Sequence, residues 1–164
     1  MTTAYIGLGA NIDDPIMQIE IALRALHALS DTQLTAWSSF YGSAPLGPED
    51  QPDFINAVAQ IETELSPLSL LDALQQIEQT LGRIKRRHWG ERCIDLDILL
   101  FGNETLRSER LNLPHHELTK RSFVVSPLLE IAPDLVLPDG QPLSDVQPEF
   151  DGDLHTLHRP VIDL

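Results

Sequence analysis

The sequence predicts an α+β domain, on three observations. Short apolar or β-branched runs alternate with stretches of helical periodicity. Each of the first two helical stretches opens on a capping residue followed by proline, and the segments run strand, helix, strand, strand, helix, strand. At 164 residues the chain fits one domain, residues 1–164, with an interior large enough to fold alone.

The elements follow in order. "TAYIGLG" at the N-terminus is short and apolar, the pattern of a buried strand, and Gly7 and Gly9 are expected to allow a tight exit from it. "DDPIMQIEIALRALHAL" then supplies Asp14 as cap, Pro15 at the first helical position, and Ile16, Ile19, Leu23 and Leu26 at helical spacing. "QLTAWSSFYGS" and "FINAVAQIETEL" are rich in β-branched and aromatic residues and read as two strands. The Pro/Gly-rich "APLGPEDQPD" between them cannot continue a ladder, and is long enough to be a functional loop. Ser66 and Pro67 open a second helix with Leu70, Leu74, Ile77 and Leu81 on one stripe, and Gly82 ends it. "CIDLDILLFG" is the next strand. The order βαββαβ is the split βαβ arrangement of ferredoxin-like domains. Beyond it, "KRSFVVSPLLEIA" reads as a C-terminal helix and "LVLP" as a short added strand, while residues 141–164, rich in Pro, Asp and Gly, read as a loosely packed tail.

Composition excludes several functions. Eleven Lys and Arg face 25 Asp and Glu, for a net charge of -14, so the overall field repels nucleic acid and anionic membranes. No apolar run approaches the ~20 residues that span a bilayer, and "MTTAYIGLGAN" has no basic leader, so a cytoplasmic protein is expected. Cys93 is the single cysteine, which excludes an internal disulfide. "GLGAN" is followed by Ile12 rather than a third glycine, and no Walker sequence occurs, so neither dinucleotide nor P-loop phosphate binding is expected.

Against this acidic background the run "RIKRRHWGERCIDLDILLF" stands out. On a strand, residues two apart share a face, so Asp95 and Asp97 project together while Leu96 and Ile98 enter the core. Two such carboxylates suit a hard divalent cation, above all Mg²⁺, which keeps waters and takes phosphate oxygens as further ligands. A pair of ordinary surface acids would look the same on its own. The cations weight the choice: Arg83, Lys85, Arg86, Arg87 and Arg92 precede the pair, and Arg107, Arg110, Lys120 and Arg121 follow. A metal held by carboxylates and guanidinium groups that neutralise oxygens together form a polyphosphate site. His115 and His116 could donate to phosphate, and Phe54 and Phe123, each beside a loop or charge cluster, could flank a cleft rather than fill the core.

At "HWGERCIDLDIL" the chain resembles the 6-hydroxymethyl-7,8-dihydropterin pyrophosphokinase family of folate biosynthesis. The likeness extends through "AYIGLGAN", "SSFY", "PLGPEDQPDFINA", "FGNE", "RLNLPH", "RSFV", "PLLEIAPDLV" and "PDG", in the family's order, over residues 4 to 140. The resemblance implies a transferase that moves pyrophosphate from ATP to the pterin hydroxymethyl group and releases AMP. It implies two Mg²⁺ ions on Asp95 and Asp97, with Arg83 and Arg92 engaging the ATP phosphates as the other catalytic residues. Gln75, Glu78, Lys85, Arg110, His115 and Arg121 match further positions of the nucleotide site. Ser43, Leu46, Phe54, Asn56, Asp95 and Phe123 match the pterin site, the two phenylalanines as its sandwich. Glu91, His116 and Ala44 stand where the family commonly has proline, tyrosine and proline. The loop containing Arg86, Arg87, His88 and Trp89 is polar, highly charged and without an apolar stripe, and is expected to be mobile and to close over the nucleotide. Two other readings exist: a ferredoxin-like nucleotide or RNA binding module without catalysis, which lacks its RNP1 pattern here, and an acidic protein that recruits a basic partner. The expected partners are the two small substrates alone, with no nucleic acid and no membrane, and the chain is expected to be a monomer.

Overall fold

The computed structural model describes residues 1–12, 14–43, 53–81, 94–148 and 154–164. Leu46 and the run from Arg83 through Arg92, including Lys85, Arg86, Arg87, His88 and Trp89, lie outside the described residues, as do Ala44 and Glu91.

Five strands make most of one antiparallel sheet: β1 (Thr2–Ala10), β2 (Thr32–Trp37), β3 (Tyr41–Ser43), β4 (Phe54–Thr63) and β5 (Asp95–Phe101). β1 is central, paired with β5 on one side and β4 on the other, and β2 and β3 share the far edge of β4. With β2 and β3 counted as one interrupted strand, this is the ferredoxin-like order. The crossover helices are α1 (Pro15–His27) and α2 (Pro67–Thr80). Both start as their sequences dictate, with Asp14 accepting from the Met17 N–H, Ser66 from the Ser69 N–H, and a proline in the first turn. Their stripes, Ile19, Leu23 and Leu26 on α1 and Leu70, Leu74 and Ile77 on α2, pack on Ala4, Ile6, Leu8, Leu96 and Ile98 of the sheet.

The other sheet face carries α3 (Ser122–Ile131) and a second apolar cluster of Tyr5, Val58, Leu99, Leu100, Val125 and Leu128. A bulge in the β1–β5 pairing makes this possible. Ile6 faces Ile98 and Tyr5 faces Leu100, so Leu99 is the extra residue, and Leu99 and Leu100 both join the α3 side. A short hairpin, β6 (Leu106–Arg107) with β7 (Asn112–Leu113), is stapled by Arg107, which donates to the Leu113 carbonyl at 2.7 Å.

Three expectations are corrected. The stretch read as one strand at 33–43 is divided at Ser38–Phe40, because the pairing with β4 slips by one residue there. Ser38 covers the slip: its N–H donates to the Val58 carbonyl, and its hydroxyl oxygen accepts from the Val58 N–H, both at 2.9 Å. "LVLP" forms an isolated bridge, Val136 to Pro142, instead of a strand, with the chain turning at Gly140 (φ 92). In the tail, most described residues are exposed and a few are held. Leu143, Val146 and Ile162 are buried, and β8 (His155–Thr156) pairs with β3. The Trp37 indole N–H also donates to the Pro160 carbonyl at 2.8 Å. Lastly, Gly7 and Gly9 lie within β1 rather than at a tight exit, on the face away from α1 and α2.

Packing of the helices on the sheet should dominate stability. Leu74→Ala, at a fully buried position, should cost about 2–5 kcal/mol in urea denaturation, against about 1 kcal/mol for loss of the α2 cap in Ser66→Ala.

Candidate active site

Side-chain alternation along β1, β4 and β5 leaves one set of residues facing the beginning of α3, and there the structure has a cavity of about 200 Å³. Its floor is written in the strand register. Asn56, Gly9 and Asp95 form one row across three strands, and Val58, Gly7 and Asp97 form the next. The glycines keep the floor low. A Cβ on Gly9 would come to 3.4 Å from Asn56 Oδ1, and one on Gly7 to 3.4 Å from Leu99. Ser43 and Phe54, themselves paired across β3 and β4, form one wall. His115, Glu117, Arg121, Phe123 and Val124 form the opposite one.

Each wall is fixed by specific contacts. The Asn56 amide donates to Ser43 Oγ at 2.7 Å and to the Tyr41 carbonyl at 3.5 Å, which assigns its nitrogen to the β3 side and its oxygen to the side of Gly9. Both residues are buried, so the pair is a preorganised polar spot in an otherwise apolar corner. Arg121 approaches Glu117 at 3.9 Å, and its guanidinium carbon lies 5.4 Å from the Phe123 ring centre. His115 stacks on His116 with ring centres 4.9 Å apart. Its Nδ1 accepts the Glu117 N–H at 3.0 Å, so the proton of the neutral ring resides on Nε2. Burial, followed by the fields of His116 and Arg121 and opposed by Glu117, lowers its pKa to about 4.

Eight residues expected at the site line this cavity: Ser43, Phe54, Asn56, Asp95, Asp97, His115, Arg121 and Phe123. Asp95 is half-buried and Asp97 exposed, side by side on β5 as the D-x-D spacing requires. Gln75, Glu78 and Arg110 do not line it. Arg110 bridges to Asp72 at 2.5 Å and to Gln75 Oε1 at 3.4 Å at exposed positions of α2, while Glu78 accepts the Leu96 N–H at 2.8 Å and so anchors α2 to the strand bearing the aspartates. Sequence reasoning missed Gly7, Gly9 and Glu117. The available signal for the glycines was their period-two spacing, which puts both on one strand face.

Among the described residues no group of three or more His, Cys, Asp or Glu is arranged to hold a metal. The Asp95–Asp97 pair offers oxygen donors only and leaves most of an octahedral shell to other ligands. That donor set fits Mg²⁺ with water and phosphate rather than a metal caged wholly by protein. No described helix is long and apolar enough to cross a membrane.

These features define a ferredoxin-like α+β protein with a pocket of small-molecule size on its sheet and an acidic pair in the pocket lining. The chain belongs to the 7,8-dihydro-6-hydroxymethylpterin-pyrophosphokinase family, whose pattern matches residues 5–133. It is similar to the 2-amino-4-hydroxy-6-hydroxymethyldihydropteridine pyrophosphokinase of Haemophilus influenzae, 57% identical over 150 residues, or 92% of this chain and 94% of that one. The Pseudomonas aeruginosa protein of the same name is 51% identical over 142 residues, or 87% of this chain and 88% of that one. Among solved structures, Plasmodium falciparum HPPK-DHPS matches with a TM-score of 0.67 at 15% identity, over 88% of this chain and 42% of that one, a likeness of fold.

The sign of a pH effect follows from His115. Its folded pKa of about 4 lies below the ordinary 6.5, so between those values the unfolded chain binds more protons, and stability falls as pH falls. An NMR titration of His115 should give a midpoint near 4, and His115→Gln should flatten the stability profile between about pH 6.5 and 4.

Proposed function

We propose that this chain transfers pyrophosphate from ATP to the hydroxymethyl group of 6-hydroxymethyl-7,8-dihydropterin, releasing AMP, as one step of folate biosynthesis. The observation that carries the residue roles is the pair of rows on the cavity floor. Asn56 and Asp95 lie two strand spacings apart, roughly 10 Å, about the reach from the far edge of a bicyclic ring to its hydroxymethyl arm. The pterin lies between Phe54 and Phe123, with Ser43, Asn56, Leu46 and Asp95 at its edge, and its hydroxyl points toward the aspartates. Stacking suits a flat heterocycle, and the buried Ser43–Asn56 pair reads its polar edge.

ATP occupies the cationic side of the site, on Gln75, Glu78, Arg83, Lys85, Arg92, Arg110, His115 and Arg121. Asp95 and Asp97 hold Mg²⁺, two ions in this reading, which when bound would supply charge neutralisation along the triphosphate. His115, held neutral, donates from Nε2 without adding charge. Arg83, Arg92 and Arg121 neutralise outer oxygens and leave the β-phosphorus open to in-line attack by the pterin oxygen. Positioning and electrostatics therefore supply most of the rate enhancement, as in other phosphoryl transfers. The names of the similar proteins favour this reading over a binding module without catalysis. We further propose a single catalytic domain that works as a monomer in the cytoplasm, without nucleic acid.

Phosphorus NMR of protein, Mg²⁺, ATP and the pterin alcohol should show AMP and a pterin pyrophosphate in equal amounts. ADP with a pterin monophosphate would refute the reading. Asp97→Ala should lower turnover by ~100-fold or more with the fold retained, a barrier increase of about 3 kcal/mol.

The two aromatics give a separate test by calorimetry. Phe54→Ala and Phe123→Ala should each weaken pterin binding by about 1–3 kcal/mol and ATP binding much less. Equal losses for both ligands would assign the rings to the core.

A further inference from the structure

We propose that Glu130, which does not line the cavity, is a positioning residue for the pterin pocket: it ties the far end of α3 to β3 and so sets both walls at once. The inference rests on the pterin-site reading above. β3 is three residues long and sits beyond the register slip at Ser38–Phe40, where the chain leaves the ladder. Glu130 takes donors from within that break and from the first residue after it. The Ser39 N–H reaches its two carboxylate oxygens at 3.0 and 3.1 Å, the Ser39 hydroxyl donates at 2.8 Å, and the Tyr41 hydroxyl donates at 2.5 Å. Burial, and then the hydrogen bond to Glu130, hold the Tyr41 hydroxyl above its ordinary pKa, so it stays a donor.

Two lines run from this knot to the pocket. Through β3, the Tyr41 carbonyl and Ser43 Oγ are the acceptors that orient the Asn56 amide. Through α3, Glu130 lies about two turns from Phe123, roughly 10 Å along the axis, so fixing that end of the helix fixes the tilt that carries Phe123 and Val124 over the floor. Glu130 is itself exposed, so its replacement opens no core cavity.

The experiment compares Glu130→Ala, Glu130→Gln and Tyr41→Phe with the unaltered chain in steady-state kinetics. Glu130→Ala should raise the pterin KM by roughly tenfold while the ATP KM and kcat stay within about twofold. Tyr41→Phe should give part of that effect. Glu130→Gln, whose amide oxygen still accepts from Ser39, should restore much of the loss. A merely stabilising residue would shift the melting temperature without separating the two KM values, so an unmoved pterin KM, or equal shifts in both, would overturn the inference while leaving the proposed activity standing. Were the unaltered chain to transfer no pyrophosphate, the proposed function would fall, and the Asn56 side-chain amide would still decide the present question. Its NMR signals should shift and exchange faster in Glu130→Ala, and unchanged signals would refute the tie.

Discussion

The pairing of β1 between β4 and β5 is the constraint on which the rest of the structure depends. A strand with neighbours on both sides has no freedom of register, because a slip by one residue would turn Ala4, Ile6 and Leu8 out of the helix-packed core. The same fixed register decides the other face. It places residues 7 and 9 opposite Val58 and Asn56 on one side and opposite Asp97 and Asp95 on the other, so the groups that read a ring and the groups that hold charge are set at a spacing defined by backbone hydrogen bonds. A site built this way inherits the rigidity of the sheet.

The two sheet faces divide the work. One is closed by α1 and α2, and its side chains are continuous and apolar. The other is closed by α3 over only part of its area, and the bulge at Leu99 concentrates apolar cover under that helix while the aspartates remain beside the open end. The charge is unevenly spread along the sequence. A chain of net charge -14 has nine of its eleven Lys and Arg between residues 83 and 121, the part of the sequence that includes Asp95 and Asp97. Concentrating the few cations in one part of an acidic sequence offsets the general repulsion of anions for that part of the chain.

The core was legible in the sequence wherever periodicity and punctuation agreed. Asp14–Pro15 and Ser66–Pro67 start their helices as read, and the D-x-D alternation puts both carboxylates on one face of β5. Phe54, Asn56, His115, Arg121 and Phe123 could be named as site residues, but only the resemblance to a family tied them together, since their convergence depends on a three-dimensional register that spacing along the chain does not contain. The failures have physical causes. A glycine pair in an apolar run looks like an exit because its defining property is the absence of a side chain, and only the neighbouring strands reveal the space thus kept. Ser38 was invisible as a register break, since a hydroxyl standing in for a backbone acceptor leaves no compositional trace. In the tail, Leu143, Val146 and Ile162 are spread among prolines and acids, so spacing did not single them out, yet each finds a buried position.

That tail also binds two distant positions to a common history. The imidazole of His155 lies over Gly42, so close that a Cβ there would come within 2.4 Å of its Nε2. Any side chain gained at position 42 must push that exposed ring aside. The two sites are therefore not independent: a side chain at position 42 and the present placement of the His155 ring exclude each other. The residue next in line is Ser43, on the pocket wall, so any accommodation made for the carboxy-terminal segment at position 42 is made directly beside the binding site.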